Sequence, residues 1–233
     1  MAPNGQDRGS AASAELGPLA GRRWESLCHS EALVDLIRLG WTTCGVGDCA
    51  VALRSPSGLL VARVCPFDPA HAAFLELCRR CPGNSYLPSV DLAVALEGGG
   101  ALTVMEFLAP VGAAVAAEVR RRWRDGDGDA DFDAVRREAL VVDAQSRASV
   151  PWWDGIDLND GNVGRAVDGR LALIDLFCFD GAALFGQILR DATVVRRLIP
   201  ADRRRHILEI PYLARERSPD ELHALRRALA DED

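Results

Sequence analysis

Strand-like runs crowd into residues 41–108 of this chain, and helical spacing takes over after them. That segregation is the texture of an α+β fold, a small sheet followed by a mostly helical remainder. Ser30–Leu39 carries Leu33, Leu36, Ile37 and Leu39 at helical spacing, and Gly40 ends it. Val51–Leu53 and Leu59–Val64 are short apolar runs joined by Ser55–Pro–Ser–Gly58, the signal of a hairpin. Pro69–Arg80 returns to helical spacing through Ala73, Phe74, Leu77 and Cys78. Asp91–Leu96 and Leu102–Phe107 are again strand-like, parted by Gly98–Gly–Gly100. Residues 41–108 thus read as strand, strand, helix, strand, strand. Beyond them, Gly112–Arg124 and Phe132–Arg147 read as helices, Leu171–Ile174 as a strand, and Ser218–Pro219–Asp220–Glu221 as a capping box opening a last helix.

Composition narrows the functions available. All 27 basic residues are arginine, so any mechanism needing a Schiff-base lysine or a P-loop lysine is excluded. A GC-rich genome that replaces Lys codons with Arg codons accounts for such usage. A net charge of −7 argues against nucleic acid as a partner, which needs a basic footprint. The Arg120–Arg122 and Arg203–Arg205 clusters lie in helix-like stretches and read as solvated faces. Seven cysteines scattered through apolar segments read as reduced, buried thiols of a cytoplasmic protein. No run is long enough to span a membrane, and Met1–Ala20, rich in small residues, reads as a loose tail with no secretory pattern.

The segment that carries chemistry is Asp157–Leu–Asn–Asp–Gly–Asn162, followed by Asp168–Gly–Arg–Leu–Ala–Leu–Ile–Asp175. A polar loop leads through a turn into an apolar strand that ends in a carboxylate, which fixes two acids and an amide at the ends of a hairpin. Mg2+ takes oxygen ligands and keeps several waters, so one Asp and one Asn beside substrate phosphates suffice. A second Asp can orient an attacking hydroxyl and accept its proton. An Asp/Asn/Gly turn without chemistry has the same composition, so the loop alone does not decide.

With its spacing and strand context, the segment resembles the catalytic loop and metal-binding strand of the protein-kinase-like superfamily, which includes antibiotic and other small-molecule kinases. Asp157 matches the catalytic Asp, Asn162, five residues on, the metal-binding Asn, and Asp175, thirteen further, the metal-binding Asp. In the first half, Gly45–Val–Gly47–Asp–Cys–Ala50–Val51 resembles the glycine-rich loop over ATP phosphates, where glycine permits close approach and positive φ. Ala50 replaces its third glycine. Val61–Ala62–Arg63–Val64 resembles the strand that presents the ATP-contacting lysine, with Arg63 in that place, and Glu76 resembles the helix acid that pairs with it. Leu102–Leu108 resembles the last small-lobe strand running into the hinge, with Met105 as gatekeeper and backbone groups from Glu106 to Leu108 meeting adenine. The resemblance spans about residues 41–180. It implies a two-lobed protein-kinase-like fold, with a flexible tail at 1–20, an antiparallel-sheet N-lobe at 21–108 and a reduced helical C-lobe at 109–233. ATP and Mg2+ are the implied cofactors, ATP lying between the lobes.

The chain also departs from the family pattern. Arg63 keeps the lysine's charge but not its geometry. Gly155 stands where His or Tyr is usual, and Asp175–Leu–Phe177 where Asp–Phe–Gly is usual. In the 233-residue chain 58 residues follow Asp175, which reads as a trimmed distal lobe without an activation segment. The expected activity is transfer to a protein Ser/Thr hydroxyl, as in the very short kinases used as bacterial effectors, which leaves secretion open. The alternatives are a small-molecule kinase of the antibiotic-phosphotransferase type and a pseudokinase binding module.

The remaining motifs point elsewhere. Asp125–Asp131 resembles the start of an EF-hand but has Ala130 at the turn glycine and Arg136 at the bidentate glutamate, so it reads as a solvated turn. Cys78–Arg–Arg–Cys81, with His71 upstream, lacks the second pair of a zinc site. Trp152–Trp153 reads as packing under the loop, Ile210–Pro–Tyr212 as a turn, and His206 and His223 as surface helix residues.

Overall fold

The computed structural model describes residues 5–230. They form two compact units, each discontinuous in sequence. Residues 5–68, 90–105 and 182–230 make the first, and 69–89 with 106–181 the second. The α+β class is as expected: a five-stranded sheet with antiparallel ladders, and a helical part. Pro69–Ser89 belongs with the later helices, and 182–230 belongs with the sheet.

The sheet of the first unit runs β1-β2-β3-β5-β4, from β1 (Thr42–Val46), β2 (Val51–Arg54), β3 (Leu60–Cys65), β4 (Val90–Ala95) and β5 (Ala101–Glu106). The β2–β3 hairpin turns where Gly58 takes φ +76° and donates to Ser55 O at 2.9 Å. Alternation puts Leu60, Ala62 and Val64 of β3 into the core and Val61 and Arg63 on the other face. On the core face, α2 (His29–Arg38) buries Ala32 and Leu36 with Trp24, Trp41, Leu53, Leu102 and Val104. β1 lies at the sheet edge and is exposed along its whole length. Its sequence therefore lacks the alternation that marks a half-buried strand.

Residues 5–20, expected as loose tail, form α1 (Gly5–Ala20). Leu19 is buried in the sheet's core, with Ala12 and Leu16 against it, and the Trp24 indole N–H donates to Leu19 O at 2.9 Å. The first unit ends in α6 (Gly181–Arg190), α7 (Ala192–Leu198), α8 (Ala201–Arg204), a 3-10 turn at Ile207–Glu209, α9 (Pro211–Glu216) and α10 (Pro219–Ala230). Ile210–Pro–Tyr212, expected as a turn, thus begins a helix with Pro at its first position. Ser218 and Glu221 cap α10 reciprocally.

In the second unit α3 (Pro69–Arg80) packs on α5 (Ala130–Ser149), preceded by α4 (Ala113–Asp125). α5 buries Phe132, Val135, Ala139 and Val142 along one face. Asp129, in the acidic loop, caps α5 by accepting the Phe132 N–H at 2.9 Å and also takes the Tyr86 hydroxyl. Two small antiparallel sheets follow: β7 (Trp153–Ile156) with β10 (Phe177–Phe179), and β6 (Ala109–Pro110), β8 (Val163–Arg165) and β9 (Leu171–Leu173). All seven thiols are free, but only Cys65 is buried and Cys44 is exposed, which corrects the expectation of buried thiols. Among the described residues, no helix is long and apolar enough to cross a membrane.

Candidate active site

The second unit brings Asp157, Asn162 and Asp175 together at the ends of its short strands, and all three are half-buried. The Asp157 N–H donates to Leu176 O at 2.8 Å, which ties the catalytic-loop candidate to the residue after Asp175. A 3-10 turn, Asp160–Asn162, then carries the chain back, and the Ile174 N–H donates to Asn162 O at 3.0 Å. The side-chain amide of Asn162 completes the link by donating to Asp157 O at 2.7 Å and to Asp175 O at 3.1 Å. Both contacts are to main-chain carbonyls, with a longer one to Asp157 Oδ2 at 3.4 Å, which leaves the amide oxygen as the candidate ligand atom. Asn159 donates to Asp157 Oδ2 at 2.7 Å. Among the described residues Asp157 Oδ1 makes no hydrogen bond, so one carboxylate oxygen is held and the other is available.

Asp175 has φ +45°, a left-handed conformation that Asp and Asn tolerate better than other side chains. Buried Leu176 and Phe177 anchor the chain just beyond it. The Asp175 carboxylate lies 3.2 Å from Nδ1 of His71, which is 3 % exposed on α3. His71 is a site residue that sequence reasoning missed, because no local pattern links positions so far apart. Gly155, in place of the usual His or Tyr, has φ +116°, and a Cβ there would come within 2.8 Å of the Arg147 guanidinium. The positive φ disfavours a side chain at Gly155, and a histidine approaches the metal-binding candidate from α3. Trp153 supports β7 from behind, donating to Asp143 Oδ1 at 2.8 Å and lying 5.5 Å from the Phe177 ring. The oxygen donors of Asn162 and Asp175 fit Mg2+, a hard cation that completes its shell with water and phosphate oxygens.

The residues expected to meet a nucleotide fall in both units. In the first unit, Gly45 lies within β1 opposite Ala52, and the Gly47 N–H donates to Ala50 O at 2.9 Å. Neither glycine has positive φ, contrary to expectation, and an added Cβ would meet nothing closer than 3.8 Å at either. The tip between them and β2 is tied to α9: Asp48 O accepts the Tyr212 N–H at 2.8 Å, and the Asp48 carboxylate pairs with Arg215. Val51 is half-buried and Ala62 fully buried in the sheet. Arg63 pairs with Asp68, and both side chains are 10 % exposed or less. Met105 is buried near the end of β5. In the second unit Glu76, the acid expected to brace Arg63, pairs with Arg79 and Arg80 of its own helix. The Glu106 N–H donates to Ser89 O at 3.0 Å and its carboxylate pairs with Arg170, which also donates to Ser85 O and Leu87 O. Leu108 is buried with Ala166 and Ala172.

No protein-family model matches the chain, and no curated protein matches it. Among solved structures, the aminoglycoside phosphotransferase APH(3'')-Id from Streptomyces rimosus ATCC10970 matches over 87% of this chain and 99% of its own, at 13% identity and a TM-score of 0.34. WbdD, solved with the kinase inhibitor LY294002, matches over 78% of this chain and 48% of its own, at 10% identity and a TM-score of 0.31. At these scores neither likeness assigns a role to any residue.

Proposed function

We propose that the chain is an ATP- and Mg2+-dependent phosphotransferase acting on a hydroxyl, with a Ser or Thr hydroxyl of a protein as the acceptor. The observation that supports this is the linkage of Asp157, Asn162 and Asp175 through the Asn162 amide. Asn162 Oδ1 and the Asp175 carboxylate would hold Mg2+, which supplies charge neutralisation for the phosphates. Asp157, with Oδ2 held by Asn159, orients the acceptor hydroxyl and takes its proton at Oδ1. His71 keeps the Asp175 carboxylate in place. The catalytic contribution is positioning of groups fixed before substrate arrives.

One observation favours a second reading, a nucleotide-binding module without transfer. The charge of Arg63 is already matched by Asp68, which reduces what it can offer a phosphate.

Phosphoryl transfer to a Ser/Thr peptide pool, with a panel of small hydroxylated cations as the contrasting acceptor, tests both readings beside MgATP-induced thermal shift. Asp157→Asn is expected to retain the shift and to lose at least about 100-fold in transfer rate. Asp175→Asn, chosen because Asn accepts the left-handed backbone, is expected to lose the Mg2+-dependent part of the shift. A shift with no transfer to any acceptor supports the second reading. Transfer confined to the small cations replaces the protein acceptor, and absence of both signals sinks both readings.

A further inference from the structure

Two histidines and a glutamate from distant stretches meet in the first unit, apart from any group used above. His29 is the first residue of α2, His206 precedes the 3-10 turn Ile207–Glu209, and Glu209 ends it. His29 Nε2 lies 3.4 Å from Glu209 Oε2, and His206 Nδ1 lies 2.7 Å from Glu209 Oε1. The two imidazole rings stand edge to face, 5.1 Å between centroids. One ligand atom from each of the three residues lies within 4.8 Å of the others. A tetrahedral zinc ion with N and O ligands at about 2.0–2.2 Å sets its ligand atoms about 3.4 Å apart. The contacts of 3.4 Å and 2.7 Å that Glu209 makes to the two rings lie close to that spacing.

We propose that His29, His206 and Glu209 form a zinc site that ties the start of α2 to the 207–209 turn. Two imidazoles and one carboxylate make a donor set that zinc takes and magnesium does not. Glu209 is half exposed, which leaves a fourth position for water. The surroundings are built for such a site. His206 Nε2 lies 3.2 Å from Glu97 Oε2, so with Nδ1 on the metal the other nitrogen donates its proton to a carboxylate, the arrangement that orients metal-bound histidines. Arg205 pairs with Glu97 from the other side. Gly98, at φ +76°, lies so close to the His206 ring that a Cβ there would come within 2.3 Å of it. The ring is therefore held by the backbone of the 97–99 turn as well as by its two acids.

His29 supplies a further sign. Its ring is buried, and the contact of Nε2 to Glu209 is long for a hydrogen bond. An ion seated between Nε2 and the carboxylate replaces that poor contact with two bonds.

The test uses the full chain, stripped with a chelator and titrated with Zn2+ against a competing chromophoric chelator, followed by X-ray absorption at the zinc edge. One ion per chain is expected, in a shell of imidazole nitrogen and oxygen without sulfur, together with a rise in unfolding temperature. His29→Gln and His206→Gln are each expected to lose more than tenfold in affinity, and Glu97→Gln about tenfold with the stoichiometry kept. Far-UV circular dichroism of the zinc-free variants establishes that they are folded. Should one not fold, the absorption spectrum of the unaltered chain still decides. Affinity unchanged in the folded His29 and His206 variants, a sulfur shell from the seven thiols, or no binding at micromolar Zn2+ each overturns the proposal.

Discussion

Gly47 closes the turn to Ala50 without a positive φ, so its own fold does not require a glycine there. A side chain is missing where space for one exists, and under the proposed function phosphate approach would be the reason. Gly47→Ala is therefore expected to shift unfolding by no more than about 0.5 kcal/mol and to weaken MgATP at least tenfold by calorimetry. Unchanged nucleotide affinity would remove the turn from the nucleotide reading. The spacing of Gly45 and Gly47 was legible, but their conformation was not, because a glycine in sequence does not disclose its φ. Arg63 teaches a similar lesson. Its place on β3 was legible from alternation, yet its partner is Asp68, five residues on and past the strand's end, where no periodicity reaches. His206 was read as a surface residue because its three partners, His29, Glu97 and Glu209, lie on separate segments.

At the scale of elements, α3, α4 and α5 were legible because each buries a stripe at helical spacing, and the β2–β3 hairpin because Ser55–Gly58 turns it. β1 was not, since an edge strand exposed along its length carries no alternation. α1 was missed for a different reason. Its small residues suit a loose tail by composition, and the packing of Leu16 and Leu19 on the core decides for helix. The acidic loop before α5 gains a definite task through Asp129. The Tyr86 hydroxyl, and then the Phe132 N–H, hold its carboxyl below the usual range. A group whose pKa is depressed on folding adds stability above its unfolded value and loses it as pH falls through the folded one. Asp129→Ala is expected to cost about 1 kcal/mol at pH 7 and to flatten the loss of stability between neutral and acid pH, read from urea midpoints. Equal slopes for both proteins would show that the cap is formed without the charge.

At the scale of the molecule, the chain crosses between its two units at 68/69, 89/90, 105/106 and 181/182. A cut between residues 108 and 109 divides both units. Neither half is expected to show a cooperative urea transition alone, and a sharp transition in either would contradict the division. None of this threading was legible, because local spacing reports which face of an element is apolar and not which distant element covers it. The candidate site fared better: Asp157, Asn162 and Asp175 sit in one short hairpin, so near-neighbour spacing nearly determines it. The threading also bears on biosynthesis. Residues 69–181 are all synthesised before 182–230, so the chain of the second unit is complete while the first unit still lacks its last helices. The unit begun first is thus finished last, although the core around Leu53 and Leu102 draws on residues 12–104 and does not wait for those helices.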